Sequence, residues 1–231
     1  MAKLRIKLDD DGCPAARHVG EAFEPIACRG CVLTPPVTWG KGRAYFEDCS
    51  FSKVRLSKCV LGHPVFVRCT LRDVRADFLM VESVVLRECV LEGRIQNVNF
   101  MSSSTLDPPY REQLETENEA ILQGAKFWLD VRATESLDVW FHGQEWASRV
   151  MFRRGQCLIL RGSDLAARAA RAYTTIQDPN ARLALFAVKE QHAAVQAWLH
   201  RLSPGELPIL PSVRAVCSRF GIETVEEPII G

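Results

Sequence analysis

Along residues 44–102, hydrophobic positions return every five residues. In the blocks AYFED CSFSK VRLSK CVLGH PVFVR CTLRD VRADF LMVES VVLRE CVLEG, the third letters are Phe46, Phe51, Leu56, Leu61, Phe66, Leu71, Ala76, Val81, Leu86 and Leu91. The first letters are apolar and mostly small: Ala44, Cys49, Val54, Cys59, Pro64, Cys69, Val74, Leu79, Val84 and Cys89. A strand alternates with period two and a helix repeats at 3.6, so neither produces this pattern. A period of five arises when a very short extended stretch ends in a corner and the next side restarts in the same phase. First and third letters then point inward, and the second, fourth and fifth point out. With four sides to a turn, residues about twenty apart stack at the strand spacing of roughly 4.7–4.9 Å. The expected ladders are Cys49, Cys69 and Cys89, beside them Phe51, Leu71 and Leu91, and on the adjacent side Phe46, Phe66 and Leu86.

The frame has edges. EAFEP, IACRG and CVLTP (residues 21–35) fit it, and PVTWGKGR (36–43) breaks it with loop-forming Pro and Gly. Trp39 in that loop is expected to fold back over the apolar face. The alternating Leu4, Ile6 and Leu8 read as a short strand capping the open end. At Glu92 the frame slips by one residue, then GRIQN and VNFMS continue it with Ile95 and Phe100 third. The domain reading is a repeat coil with its capping strand over 1–102, a linker over 103–110 and an α+β domain over 111–231.

In that last part the pattern changes. Residues 111–125 carry Leu114, Ile121 and Leu122 at helical spacing. Phe127, Leu129 and Val131, then Leu137, Val139 and Phe141, Val150 with Phe152, and Cys157 with Ile159 alternate as strands, taken as a small antiparallel meander. Roughly four helices are expected in this half. Ser163 is read as a helix cap, Asp178-Pro179 as cap and first turn of a helix over 179–202, and a short helix near 212–220 stops at Gly221. A last extended piece closes the chain.

Net charge is +1, and each half is near balance, so no overall attraction to nucleic acid or an acidic membrane is implied. The N-terminus lacks the apolar segment of a signal peptide, and no run approaches the roughly 18 apolar residues of a membrane helix. A cytoplasmic protein is the expectation. Nine cysteines, several at inward letters, point to reduced buried thiols rather than a disulfide framework.

The five-residue frame resembles the pentapeptide-repeat family over about 75 of the 231 residues. The resemblance implies a right-handed quadrilateral parallel β-helix. The family's second-letter Asp or Asn is mostly absent here, where Tyr45, Ser50, Arg55, Val60, Val65 and Thr70 stand. The recurring cysteines also resemble the β-helical domain of tubulin-cofactor-C-like proteins. Some pentapeptide-repeat proteins mimic DNA and protect gyrase, a mechanism that needs outward acids. Residues 44–102 carry eight Lys/Arg against seven Asp/Glu, so mimicry has support only if the acids gather on one face.

Other chemistry is sparse. Cys28-x-x-Cys31 with Cys13 and His18 has ligands suited to zinc, yet Cys28 and Cys31 are third and first letters of the frame, which accounts for both without a metal. His142 near Glu145, His192 and His200 on the 179–202 segment, and Cys157 and Cys217 match no catalytic spacing. The 161–164 corner, Arg-Gly-Ser-Asp, has one glycine and an acid where an anion would sit. Trp140, out of phase with its apolar neighbours, and Trp146, Arg149, Arg153 and Arg154 have the composition of an interface. The sequence therefore points to a non-enzymatic scaffold, adaptor, inhibitor or immunity protein of a bacterium. It is expected to bind another protein, with no cofactor or metal, no membrane, no nucleic acid, and a homo-oligomer as a further option. A gyrase-protecting DNA mimic and an enzyme with its site around His142 and Glu145 are the alternatives.

Overall fold

The computed structural model describes residues 17–23, 26–30, 43–101, 108–141, 149–152, 157–161, 164–179, 181–182, 185, 195–200 and 209–225. The fold is mixed α/β, with mostly parallel strands, three helices among the described residues, and no closed barrel.

The five-residue frame becomes a stack of turns. Strands β1 (Arg17–Val19), β4 (Tyr45–Glu47), β7 (Val65–Val67) and β9 (Val85–Arg87) pair in parallel along one side. β2 (Ala22–Phe23), β5 (Ser50–Ser52), β8 (Thr70–Glu82) and β10 (Cys89–Met101) form the next side. β3 (Ile26–Arg29) and β6 (Val54–Gly62) join β8 and β10 where these long strands bend onto a third side. The register is the expected one: Phe46 lies against Phe66 and Phe66 against Leu86, while Phe51 lies against Leu71 and Leu71 against Leu91. The lowest layer is offset by 28 residues, Arg17 against Tyr45, eight more than the offset of Tyr45 from Val65. The eight extra positions fall between Gly30 and Arg43. The slip at Glu92 is equally local: Leu91 matches Leu71, and Gly93 already matches Val74.

Each corner is made the same way. Asp48, Lys53, Lys58, His63, Arg68, Asp73, Phe78, Ser83 and Glu88, the fifth letters, all adopt left-handed φ between 43° and 56°. Gly20 and Gly30 hold the same place in the lowest layer, at 66° and 64°. For a residue with a Cβ this costs roughly 1–2 kcal/mol. The corner amide regains a bond: Asp48 N–H donates to Val67 O at 2.9 Å, His63 N–H to Glu82 O at 2.8 Å, and Arg68 N–H to Arg87 O at 2.7 Å. The carbonyl of each first letter is used too, as where Thr70 N–H donates to Cys49 O and Val90 N–H to Cys69 O.

Inside, two aromatic columns meet edge to face. His18 stacks on Phe46 and Phe46 on Phe66, each pair at 5.1 Å, and Phe23 stacks on Phe51 at 4.9 Å. Phe46 and Phe51 cross at 78°. The cysteine ladder is buried, and its thiols donate to strand carbonyls of the adjacent layer: Cys69 Sγ to Phe46 O at 3.4 Å and Cys89 Sγ to Phe66 O at 3.3 Å. Burial raises the Cys49 and Cys89 thiols above their ordinary range. Because all five are buried in the native protein, Cys49, Cys59, Cys69, Cys89 and Cys217 are expected to resist an aromatic disulfide reagent and to react only on unfolding. Site-resolved mass spectrometry checks this; rapid labelling of Cys69 or Cys89 at neutral pH would show that the interior is open.

Beyond residue 102 several expectations are corrected. Helix α1 (Pro108–Leu122) begins within the expected linker, with Pro108 and Pro109 in its first turn, where their missing N–H costs nothing. The strands after it do not form an antiparallel meander. β11 (Leu129–Asp130) and β12 (Thr134–Phe141) pair in parallel with β10, and β13 (Val150–Met151) pairs in parallel with β11. Trp128, Leu129, Val131, Val150 and Phe152 enter the same core as the cysteine ladder. Alternation marks a strand but not the direction of its partner, so the two arrangements read alike along the chain. Antiparallel pairing starts only at β15 (Val195–His200), which lies between β12 and β14 (Cys157–Arg161), and continues from β14 to β16 (Glu223–Val225).

β15 also replaces the end of the expected helix over 179–202. Asp178 does cap a helical start, accepting from Ala181 N–H at 2.7 Å. By Val195 the chain is a strand, because β12 and β14 each offer it an edge to pair with. Besides that helical start, the helices among the described residues are α1, α2 (Leu165–Thr175) and α3 (Ile209–Arg219), which ends before Gly221 at φ 66°. Leu160, Leu165, Ala169, Ala172, Leu185, Val213 and Cys217 form a separate second core. Asp164, not Ser163, stands at the N-cap of α2, and its side chain makes no capping bond. The strand over residues 4–8, Trp39 and Ser163 lie outside the described residues.

Candidate interaction face

Pairing in the stack decides which outward letters become neighbours. On the β3–β6–β8–β10 side, the second letters align as Ala27, Arg55, Arg75 and Arg94, and the fourth letters as Arg29, Ser57, Asp77 and Gln96. These residues line an open trough of about 540 Å³. With Lys58 on the corner, this side carries five cations against one carboxylate. The side made by β2, β5 and β8 is balanced by contrast, with Lys53 and Arg72 against Asp73 and Glu92.

Carboxylates from the rim engage two of the three aligned arginines. Arg55 Nη2 meets Asp73 Oδ2 at 3.0 Å, and Arg94 Nε meets Glu135 Oε2 at 2.8 Å. The contact with Glu135 holds Arg94 above its ordinary pKa. Arg75, between them, is exposed and forms no ion pair or hydrogen bond among the described residues.

Phe78 stands on the corner beside this column. It is 65% exposed and sits at φ 56°, whereas His63, the other ring among the nine fifth letters, is buried. Around the corner Met80 is 40% exposed, and Val60, half-buried, lies against it in the layer below. The left-handed φ is common to all nine corners, so what sets Phe78 apart is an exposed aromatic ring that buries nothing in the free protein. Phe, Met and Arg are also the types enriched where partners dock.

The opposite flank is closed. Ile121 and Leu122 of α1 cover Val65, Val67 and Val85. At the adjoining corner Arg43 lies under the helix, donating to His63 O at 2.8 Å, Ser83 O at 3.1 Å and Asn118 Oδ1 at 2.6 Å. Glu117 Oε2 is 4.0 Å away. Burial lowers Arg43 to about 10 and pushes His63, whose two ring nitrogens have no partner, down to about 4 with help from the Arg43 charge.

The residues singled out from the sequence are scattered. His18 is an inward third letter stacked on Phe46, with Nδ1 3.0 Å from Glu21 Oε1. Cys28 pairs through its backbone with Leu56, while Cys13 and Cys31 lie outside the described residues. Trp140 sits on β12 between Asn99 and Trp198 in the register. Arg149 is half-buried and donates to Ala125 O at 3.5 Å. Trp146, Arg153 and Arg154, and with them His142, Glu145 and His192, lie outside the described residues. His200 and Cys157 occupy β15 and β14, and Cys217 is buried in α3 with its thiol pushed up to about 12. Sequence reading missed Phe78, although it is an aromatic in an outward letter, and that departure from the frame was the available signal. No helix among the described residues is long and apolar enough to cross a membrane. Comparison with protein-family models, curated proteins and solved structures finds no match to this chain.

Proposed function

We propose that this chain is a non-enzymatic protein-interaction scaffold, of adaptor, inhibitor or immunity type, built on a right-handed four-sided β-helix of pentapeptide repeats. The constant offset of the stacked layers and the burial of first and third letters support that coil. The observation that carries the function is Phe78, an exposed aromatic fixed at a left-handed corner beside an arginine column. A rigid wall presents these side chains with little ordering left to do, so binding energy is not spent on folding. The DNA-mimic reading asks for acids gathered on one face, and the charges that gather here are cations.

The test is site-specific photo-crosslinking in the native host, with a benzophenone amino acid at Phe78 or, as a control, at exposed Ser50 on the neighbouring side. The expected result is one discrete heavier adduct from position 78 and none from position 50. Adducts containing only this chain would replace the scaffold reading with a homo-oligomer. Equal, diffuse labelling at both positions would remove Phe78 as the contact.

A further inference from the structure

We infer that the face bearing Arg55, Arg75 and Arg94 binds an acidic polypeptide segment, whose carboxylates sit on the arginine column and whose apolar side chains pack on Phe78 and Met80. This rests on the scaffold reading and specifies its partner.

The column already binds carboxylates. Arg55 holds Asp73 through Nη2 while Nη1 donates to the Asp73 backbone carbonyl, and Arg94 holds Glu135. Arg75 is one layer from each, offers the same planar fork, and forms no ion pair. A carboxylate from outside completes the row, with two parallel N–H donors from a charged group that has nothing to give up. The rim adds polar groups, Ser57 and Gln96, suited to a peptide backbone, and the corner adds Lys58.

Nucleic acid fits less well. A phosphate backbone depends on many unopposed cations. Here Asp73 and Glu135 already neutralise Arg55 and Arg94 while Asp77 lies in the trough, which leaves enough for a single carboxylate on Arg75 but not for a run of phosphates. Single-strand binding also uses a series of stacking rings, and this face has one. Val60, Phe78 and Met80 form instead a small apolar strip beside the cations, which calls for carboxylates and aliphatic side chains in the same segment.

Fluorescence anisotropy on the full chain tests this, with a short labelled peptide alternating Glu with Leu and, as a second probe, single-stranded oligothymidylate. The expected result is saturable peptide binding that weakens as salt rises. It should be at least about tenfold weaker in Arg75→Glu and clearly weaker in Phe78→Ala, and unchanged in Arg72→Glu on the neighbouring side. Arg72, Arg75 and Phe78 are exposed, so the variants should melt as the parent does, which thermal unfolding verifies. Peptide binding indifferent to Arg75→Glu overturns the inference, as does its absence or a preference for the oligonucleotide that Arg75→Glu abolishes. A discrete crosslink at Phe78 to a partner without an acidic segment removes this inference and leaves the scaffold reading standing.

Discussion

Replacing Gly93 with alanine is expected to cost roughly 2–6 kcal/mol, from backbone strain of about 1–3 and overpacking of about 1–3. Gly93 is the residue at which the frame loses one position, and the layer above Val74 is pulled tight there. Its φ is +129°, a region that side chains avoid, and a Cβ would lie 2.2 Å from Val74 O and 2.6 Å from Val74 N. Those are backbone atoms of the adjacent strand, so no rotamer change relieves the contact. Gly124, at φ +71° with open space around it, supplies the comparison: alanine there meets only the left-handed penalty of about 1–2 kcal/mol. Urea unfolding of the two variants separates clash from strain. Equal midpoints for Gly93→Ala and Gly124→Ala would show that the layers at Gly93 are not closely apposed.

As the pH falls from about 6.5 to about 4, His63 alone is expected to remove roughly 3 kcal/mol of stability. The ring is 2% exposed, and its folded-state pKa lies below the unfolded value. Above pH 6.5 both states hold it neutral and it contributes no slope. Between 6.5 and 4 the unfolded chain binds the proton and the folded chain does not, so stability drops with every step down. Below 4 both states are protonated and the loss is complete. The groups around His63 sharpen this: Arg43 is a buried cation under the same helix, and its nearest carboxylate, Glu117, is 4.0 Å off. A protonated His63 would place two positive charges beneath α1, so that helix should detach first, exposing Val65, Val67 and Val85. Carboxylates titrate in this range too, so the measurement is a difference. Denaturation midpoints across pH for the parent and for His63→Asn, which tolerates the left-handed corner, should diverge below 6.5. Parallel profiles would mean the ring is solvated or paired.

The cysteines show how much the linear pattern explained. Taken singly, Cys28-x-x-Cys31 with His18 suggested metal chemistry. Taken in fives, Cys49, Cys69 and Cys89 had to be inward, and they are buried and donate to strand carbonyls. Phe78 shows the opposite case. It was counted among the outward letters, but its meaning came from Arg75 three residues before it and from Lys58 in the layer below.

By itself the sequence determined which residues face inward, where the ladders run, that the frame is interrupted before Ala44, and that a position is lost near Glu92. These are local properties, because in so narrow an interior a shift of one residue turns every apolar side chain outward. Tertiary structure alone decided the rest. Residues 44–102 are nearly neutral, yet Arg55, Arg75 and Arg94 fall into one column because the turns place positions about a turn apart side by side. It also decided that β11, β12 and β13 continue the stack in parallel, and that Val195–His200 becomes a strand between two waiting edges. Pairing direction and partner are set by which backbone edges remain open once the stack has formed, and no window along the chain contains that information.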